Sequence, residues 1–363
     1  MITLLIPTYR NPEHLQRALL FYKNIFSEAQ IIVVDSSSSL HQETNKKTIL
    51  LINEQYVFVR RLAYSEKISF SEKIADAVSY VETPYAILAG DDDFFSPSTI
   101  RHAVCRLEGN AEYGFMYGHQ YGFLFDGVKI KWYCSGYYEN PRSFCDDDPL
   151  VRLDSYVKKY ATTFYSVFRT KILKEVLEQS FRYAPGLVFF DNMFTMQTLL
   201  RTKGLFLEKP FWFKEMSDLS TSAAYNVEWF LGKGFEVNKT LMKQGVKENL
   251  VNLGLMSSSA AIKASSAYVE KFMETTFYSM YPSLIPQTGM EWYRQKLKSF
   301  FPSDVRQKLS GFKNMLTPRI EVGQAYLHNP NSMYAHEFKE IEMSIIQSKV
   351  IAYRSGFEGA KQL

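Results

Sequence analysis

Apolar residues gather into short unbroken runs in the first quarter of the chain. Ile2 to Ile6, Ile31 to Val34, Val57 to Leu62 and Tyr85 to Ala89 read as strands, the continuous runs being those expected of strands buried on both faces. Between them the spacing changes to that of helices. Leu15, Leu19, Tyr22 and Phe26 share one face of a helix predicted from about Pro12 to Phe26. Ser69 and Glu72 have the spacing of a capping box, ahead of a helix carrying Ile74, Ala77, Val78 and Val81. Thr83-Pro84 ends that helix, and Gly90 opens a turn after the fourth strand. Alternating strands and helices imply an α/β fold with a mainly parallel sheet covered on both faces.

From about residue 113 the strands turn aromatic. Residues 113–125 and 128–133 flank Asp126-Gly127, a hairpin signal. A short helix near residues 149–159, a strand over 163–168, a helix from Lys171, a helix after Asp191-Asn192 and a strand over 205–207 follow. Beyond about residue 220 strand signals fade. Tyr268, Val269, Phe272, Met273, Thr276 and Met280 describe an amphipathic helix, and Phe338, Ile341, Ile345, Ile346 and Val350 describe another. Residues 1–220 therefore read as one α/β domain and 221–363 as a helical domain. Its apolar faces would pack on the first domain, a second subunit or a membrane surface.

Composition narrows the classes. Hydrophobic residues are 46% and aromatics 15% of 363 residues, which suits a full core. A net charge of +4 is too small to argue for nucleic acid. The balance is −1 over residues 1–219 and +5 over 220–363. A basic, aromatic tail suits peripheral contact with an anionic membrane as well as a solvated helix face. Cys105, Cys134 and Cys145 lack zinc or disulfide spacing and read as reduced thiols of a cytoplasmic protein. No run of 18 apolar residues is present, and the first residues lack the basic start of a signal peptide.

Ligands of parallel α/β sheets bind at the carboxyl ends of the strands. Two polar clusters fall there: Asp35 after the second strand and Asp91-Asp92-Asp93 after the fourth. Asp91 and Asp93 have DxD spacing, and two such carboxylates can aim at one magnesium or manganese ion. A divalent cation would offset the charge that develops on a diphosphate leaving group. Alone, an acidic triplet also suits a solvated turn, and Asp146-Asp147-Asp148 before Pro149 reads as a turn or helix cap.

The segments ITLLIPTYRNPEHLQRAL, IIVVDSSSS and YAILAGDDDF, in that order, resemble the family 2 glycosyltransferases over roughly residues 1–220. GDDDF with the later FYSVFRT resembles a branch found in bacterial surface-polysaccharide clusters. The resemblance implies a GT-A fold, a nucleotide-sugar donor with UDP-sugars foremost, a glycan or lipid-linked acceptor, Mn2+ or Mg2+, and inversion. It places Pro7, Thr8 and Tyr9 at the donor nucleotide, Asp35 at the base, Lys73 near the diphosphate and Asp92 at the ribose. Asp93 becomes the principal metal ligand, supported by Asp91.

Inverting transfer needs a carboxylate to accept the proton of the attacking hydroxyl. Asp191 in FFDNMF matches the start of the helix that supplies it, although Phe190 stands where a second acid is common. The other reading of Asp191 is an N-cap for a helix beginning at Asn192. Glu215 and Asp218 are the fallback bases. PFWFKEMSD offers Lys214 and Glu215 where the fold sometimes has a metal-binding histidine, and His119 reads as packing. Oligomerisation through the C-terminal helices is a further expectation. A sugar nucleotidyltransferase would need a glycine-rich loop where PTYRNPEH stands. A non-catalytic scaffold of a polysaccharide pathway is the other alternative.

Overall fold

The computed structural model describes residues 1–54, 59–125, 130–134, 142–161, 163–184, 186–215, 233–277, 320–321 and 339–348. The early apolar runs form β1 (Ile2–Thr8), β2 (Gln30–Asp35), β3 (Val59–Ala63) and β4 (Tyr85–Leu88). They pair in parallel in the order β3-β2-β1-β4. Their connections are α1 (Pro12–Ile25), α2 (Ser39–Asn53) and α3 (Phe70–Ala77). Pro12 starts α1, where its missing N–H costs nothing. Ser69 caps α3 by accepting the Glu72 N–H at 3.1 Å.

The second half of the sheet is more antiparallel than expected. β5 (Asp93–Phe95), β6 (Tyr113–Phe125), β7 (Ile130–Cys134), β8 (Val167–Arg169) and β9 (Lys203–Glu215) belong to it. β8 lies antiparallel between β4 and β6, and β7 runs antiparallel to β6. β9 is parallel to β6 and antiparallel to β5. β10 (Ile320–Glu321) adds to β7. The fold is thus α/β with a parallel half and a mixed half. The turn of the β6–β7 hairpin, with Asp126 and Gly127, lies outside the described residues.

Two elements differ in extent from expectation. The strand expected over 163–168 shortens to β8, because the chain bends over residues 164–166, where the Ser166 hydroxyl donates back to the Thr163 carbonyl at 2.6 Å. The strand expected over 205–207 is part of the longer β9, whose half-buried stretches weaken the apolar signal. Gly204 at its start admits the Phe115 ring so closely that a Cβ there would lie 2.0 Å from it.

The remaining helices are α4 (Pro97–Glu108), α5 (Pro149–Lys158), α6 (Thr170–Tyr183), α7 (Leu187–Arg201), α8 (Lys233–Asn252) and α9 (Ser258–Phe272). Asp148 caps α5 by accepting the Leu150 N–H at 2.8 Å, so the second acidic triplet is a helix start. Helices α8 and α9 pack on α5–α7. Gly245 of α8 approaches Met193 and Tyr183, and Phe272 stacks on Tyr156 at 5.8 Å. The apolar face at Val269, Phe272 and Met273 is buried there. Residues 339–348 are helical, with Ile341 and Ile345 buried. The boundary expected at 220/221 lies outside the described residues. Among the described residues, no helix is long and apolar enough to cross a membrane.

Candidate functional site

The carboxyl ends of β1, β2 and β4 meet in one polar corner. Thr8, the last residue of β1, donates from Oγ1 to Asp91 Oδ2 at 2.7 Å. Lys73 of α3 reaches under both strands. Its Nζ lies 3.1 Å from the Thr8 carbonyl and donates to Ser36 Oγ at 2.8 Å. Pro7 pairs in register with Val34 inside the sheet, while Tyr9 stands exposed beyond it. The Arg10 guanidinium lies 4.7 Å from the centre of the Tyr9 ring and bonds Glu66 at 2.6 Å. Arg10 has φ 61, a left-handed conformation that a non-glycine residue adopts at a cost. Its N–H donates to Ser37 Oγ at 3.1 Å, which helps hold it there.

The acidic triplet folds back over Gly90. The Gly90 N–H donates to Asp93 Oδ2 at 3.1 Å. A Cβ at Gly90 would sit 2.5 Å from that oxygen and 2.8 Å from Asp92 Oδ1, so any larger residue there would push the two carboxylates aside. Asp93 is also the first residue of β5, paired with Lys214, and is buried. Asp91 and Asp92 are half-buried.

Burial pushes the Asp91 carboxyl up to about 7, and the charge of Asp92 adds to it, against the Thr8 hydrogen bond, Lys73 and Arg17. Burial and Asp92 push Asp93 up to about 8, against Lys214 and Trp212. Burial lowers the Lys73 ammonium to about 8, against the attraction of Asp91 and Asp35. The corner therefore crowds three carboxyl groups where burial and mutual repulsion disfavour their charge, and Asp93 Oδ1 is buried without a well-formed hydrogen bond. Those features fit a hard divalent cation. Among the described residues no three His, Cys, Asp or Glu side chains are grouped to hold a metal, so a cation would take one or two carboxylates and complete its shell with phosphate and water.

Asp35 is fully buried, and its carboxylate is occupied. Oδ1 accepts the Ser37 N–H at 3.0 Å, an Asx-turn; Oδ2 accepts Asn45 at 3.1 Å and Arg61 at 2.9 Å. Burial works to raise its pKa, but these donors hold it below the usual carboxylate value. Arg61 also donates to Gln42 at 2.8 Å. What Asp35 offers at the strand end is thus an anchored Arg61–Gln42 edge.

Asp191 is the fifth residue of α7, which starts at Leu187 with Gly186 as its cap. It is not the N-cap of a helix beginning at Asn192. The apolar residues 187–190 already lie in the first turn, so the helix begins earlier than its polar signal. Asp191 Oδ1 accepts Asn192 Nδ2 at 2.9 Å, and Asn192 in turn accepts the Tyr156 hydroxyl at 2.9 Å. Burial pushes Asp191 up to about 7, against the backbone amides of Asn192 and Asp191 itself. Among the described contacts Asp191 touches neither Asp91 nor Asp93. Its neighbour Phe190 packs edge-on against Phe70, at the start of the helix that carries Lys73.

Of the fallback bases, Asp218 lies outside the described residues, and Glu215 is held by Arg17 in a nearly buried ion pair of 2.6 Å. The Glu215 N–H bonds the Asp92 carbonyl at 3.1 Å, which seats this pair beside the triplet. Arg17 was not singled out in the sequence. A charged side chain at the border of the apolar stripe of α1 was the signal it carried. His119 bonds Glu208 at 3.1 Å and packs edge-on against Phe206 at 5.0 Å.

No protein-family model and no curated protein sequence matches the chain. Solved structures do. Residues 1–349 of S. aureus TarS in complex with UDP-GlcNAc align over 98% of this chain and 92% of their own, with 12% identity and a TM-score of 0.54. The same portion in complex with UDP covers 98% and 91%, with 13% identity and a TM-score of 0.50. At such identities the likeness is one of fold, and the fold is the GT-A-like α/β architecture of glycosyltransferase structures.

Proposed function

We propose that the chain is a glycosyltransferase that moves a sugar from a nucleotide-sugar donor, a UDP-sugar foremost, to a glycan or lipid-linked acceptor in bacterial surface-polysaccharide synthesis. The observation that carries this reading is the Thr8–Asp91 bond. It joins the acidic triplet to the end of β1, where a parallel α/β sheet receives its nucleotide. Pro7, Thr8 and Tyr9 line the donor's nucleotide. Asp35 orients Arg61 toward the base, and Lys73 braces the strand ends beneath the diphosphate. Asp92 faces the ribose. Asp93, with Asp91, would hold Mn2+ or Mg2+, which when bound would offset charge on the departing diphosphate.

Asp191 accepts the acceptor hydroxyl's proton as that oxygen attacks the anomeric carbon, with inversion. A carboxyl held near neutrality is a better base at cellular pH than an ordinary aspartate, because its proton affinity and its ionised fraction are both substantial. The helices beyond residue 220 support the transferase domain and provide surface for self-association or the acceptor's membrane.

The test is donor turnover. Purified protein with manganese is offered UDP-GlcNAc, UDP-glucose and GDP-mannose, and released nucleoside diphosphate is measured with glycan or lipid-linked acceptors. One donor should be consumed, and Asp91→Asn with Asp93→Asn should abolish the cellular glycan product. Unchanged cellular glycan in that double variant would favour the scaffold reading instead.

A further inference from the structure

Resting on the transferase reading, we infer that Tyr165 forms the wall of the donor-sugar subsite, between the metal corner and the base. Asp93 and Asp191 lie on different elements and do not touch. What joins them is a chain of rings. Trp212 pairs with Phe95 on the β5–β9 ladder that also pairs Asp93 with Lys214. The Tyr165 ring lies on Trp212 with centroids 4.1 Å apart and planes 27° from parallel, and at 6.5 Å from Phe95. Phe164, next in the chain, meets Tyr165 edge-on at 5.2 Å and Phe190 at 6.0 Å. Phe190 precedes Asp191.

Trp212, Phe95, Phe164 and Phe190 are all buried. Tyr165 is half-buried, so it is the member of this chain that meets solvent. Its place is fixed from both sides. Stacking on Trp212 ties it to the strand pair of the acidic corner, and Phe164 ties it to the helix of the base. On this inference, a sugar bound through its diphosphate at Asp93 and attacked opposite Asp191 lies along this chain of rings. The CH face of a pyranose packs on an aromatic ring. Tyr165 stands in FYSVFRT, which the metal and nucleotide roles leave unused.

The experiment separates the sugar from the nucleotide. UDP, GDP, UDP-GlcNAc and GDP-mannose are titrated calorimetrically, with manganese, into the full chain and its Tyr165→Ala and Tyr165→Phe variants. In Tyr165→Ala, affinity for the nucleoside diphosphate should stay within about twofold, and affinity for the matching nucleotide sugar should fall on the order of tenfold, the loss of one packed ring face. Tyr165→Phe should retain most of the nucleotide-sugar affinity. If Tyr165→Ala does not fold, Tyr165→Leu, which keeps bulk without a ring, should show the same split. Equal weakening of diphosphate and nucleotide sugar would make Tyr165 a prop for the acidic corner and overturn the inference. So would unchanged affinities for both. A wild-type chain that binds none of these nucleotides would instead overturn the transferase reading, and the inference with it.

Discussion

Replacing Asp191, the proposed base, by asparagine should sharply reduce donor turnover and stabilise the protein at once. The folded chain holds the Asp191 proton up to about 7, whereas an ordinary aspartate releases it near 3.8. Below about pH 4 both folded and unfolded chains hold that proton. Between about pH 4 and 7 only the folded chain does, so stability falls as pH rises through this window. About three units at roughly 1.4 kcal/mol each set an upper bound of about 4 kcal/mol. Asp191 keeps some contact with solvent, which reduces the figure to about 2–3 kcal/mol. The substituted amide carries no charge and avoids that cost. Denaturant midpoints should therefore place Asp191→Asn about 2–3 kcal/mol above wild type at pH 8 and level with it only at or below about pH 4. Donor turnover by the same variant should fall roughly 10²- to 10⁴-fold, the usual worth of a general base. Wild-type turnover should rise with pH through about 7, as the base ionises. A variant that is no more stable at pH 8 than wild type would show that Asp191 is not held protonated by burial, and one that keeps turnover within a few-fold would show that Asp191 is not the base.

Four other substitutions probe the supporting structure. Gly90→Ala drives a Cβ into the Asp93 and Asp92 carboxylates, and manganese-dependent nucleotide affinity should drop by roughly ten- to a hundredfold in a folded protein. Arg61→Ala leaves the buried Asp35 with only neutral donors; it should lower stability by about 2–4 kcal/mol in chemical denaturation. Because Asp35 has a depressed pKa, its contribution is present above the ordinary carboxylate value and is lost as pH falls through the folded one, so Asp35→Asn should flatten that part of an acid-unfolding curve. Gly204→Ala sets a methyl against the Phe115 ring, and overpacking there should cost about 1–3 kcal/mol in thermal or denaturant unfolding.

The parallel half of the fold was legible because its strands are buried on both faces. Ile2 to Ile6 and Ile31 to Val34 can sit only inside a covered sheet, so their carboxyl ends, and the acids on them, could be placed from the sequence alone. The antiparallel half was harder. In β9, Glu208 and Lys209 interrupt the apolar run, and Pro210 suggests an end where the strand continues. Helix α2 went unread because only Asn45, Ile49 and Ile52 of SLHQETNKKTILLIN are buried, too thin a stripe beside a run of serines. Side-chain partners far apart in sequence stayed out of reach altogether. Nothing in the spacing of HLQRALLF tells that Arg17 meets Glu215, and nothing near Lys73 tells that it turns inward to Thr8 and Ser36. Asp35 shows the limit most clearly. Its position at a strand end was readable, but its engagement by Arg61 and Asn45 depends on β3 and α2.

In the proposed function, the acidic corner binds a nucleotide through a divalent cation. Calorimetric titration of UDP and GDP into the full chain, in manganese and again in EDTA, tests it most directly, with Asp93→Asn as the companion protein. One diphosphate should bind in manganese, lose that binding in EDTA, and bind Asp93→Asn at least on the order of tenfold more weakly. Binding of neither nucleotide under any condition, or equal binding with and without metal in both proteins, would rule out a metal-nucleotide site at this corner.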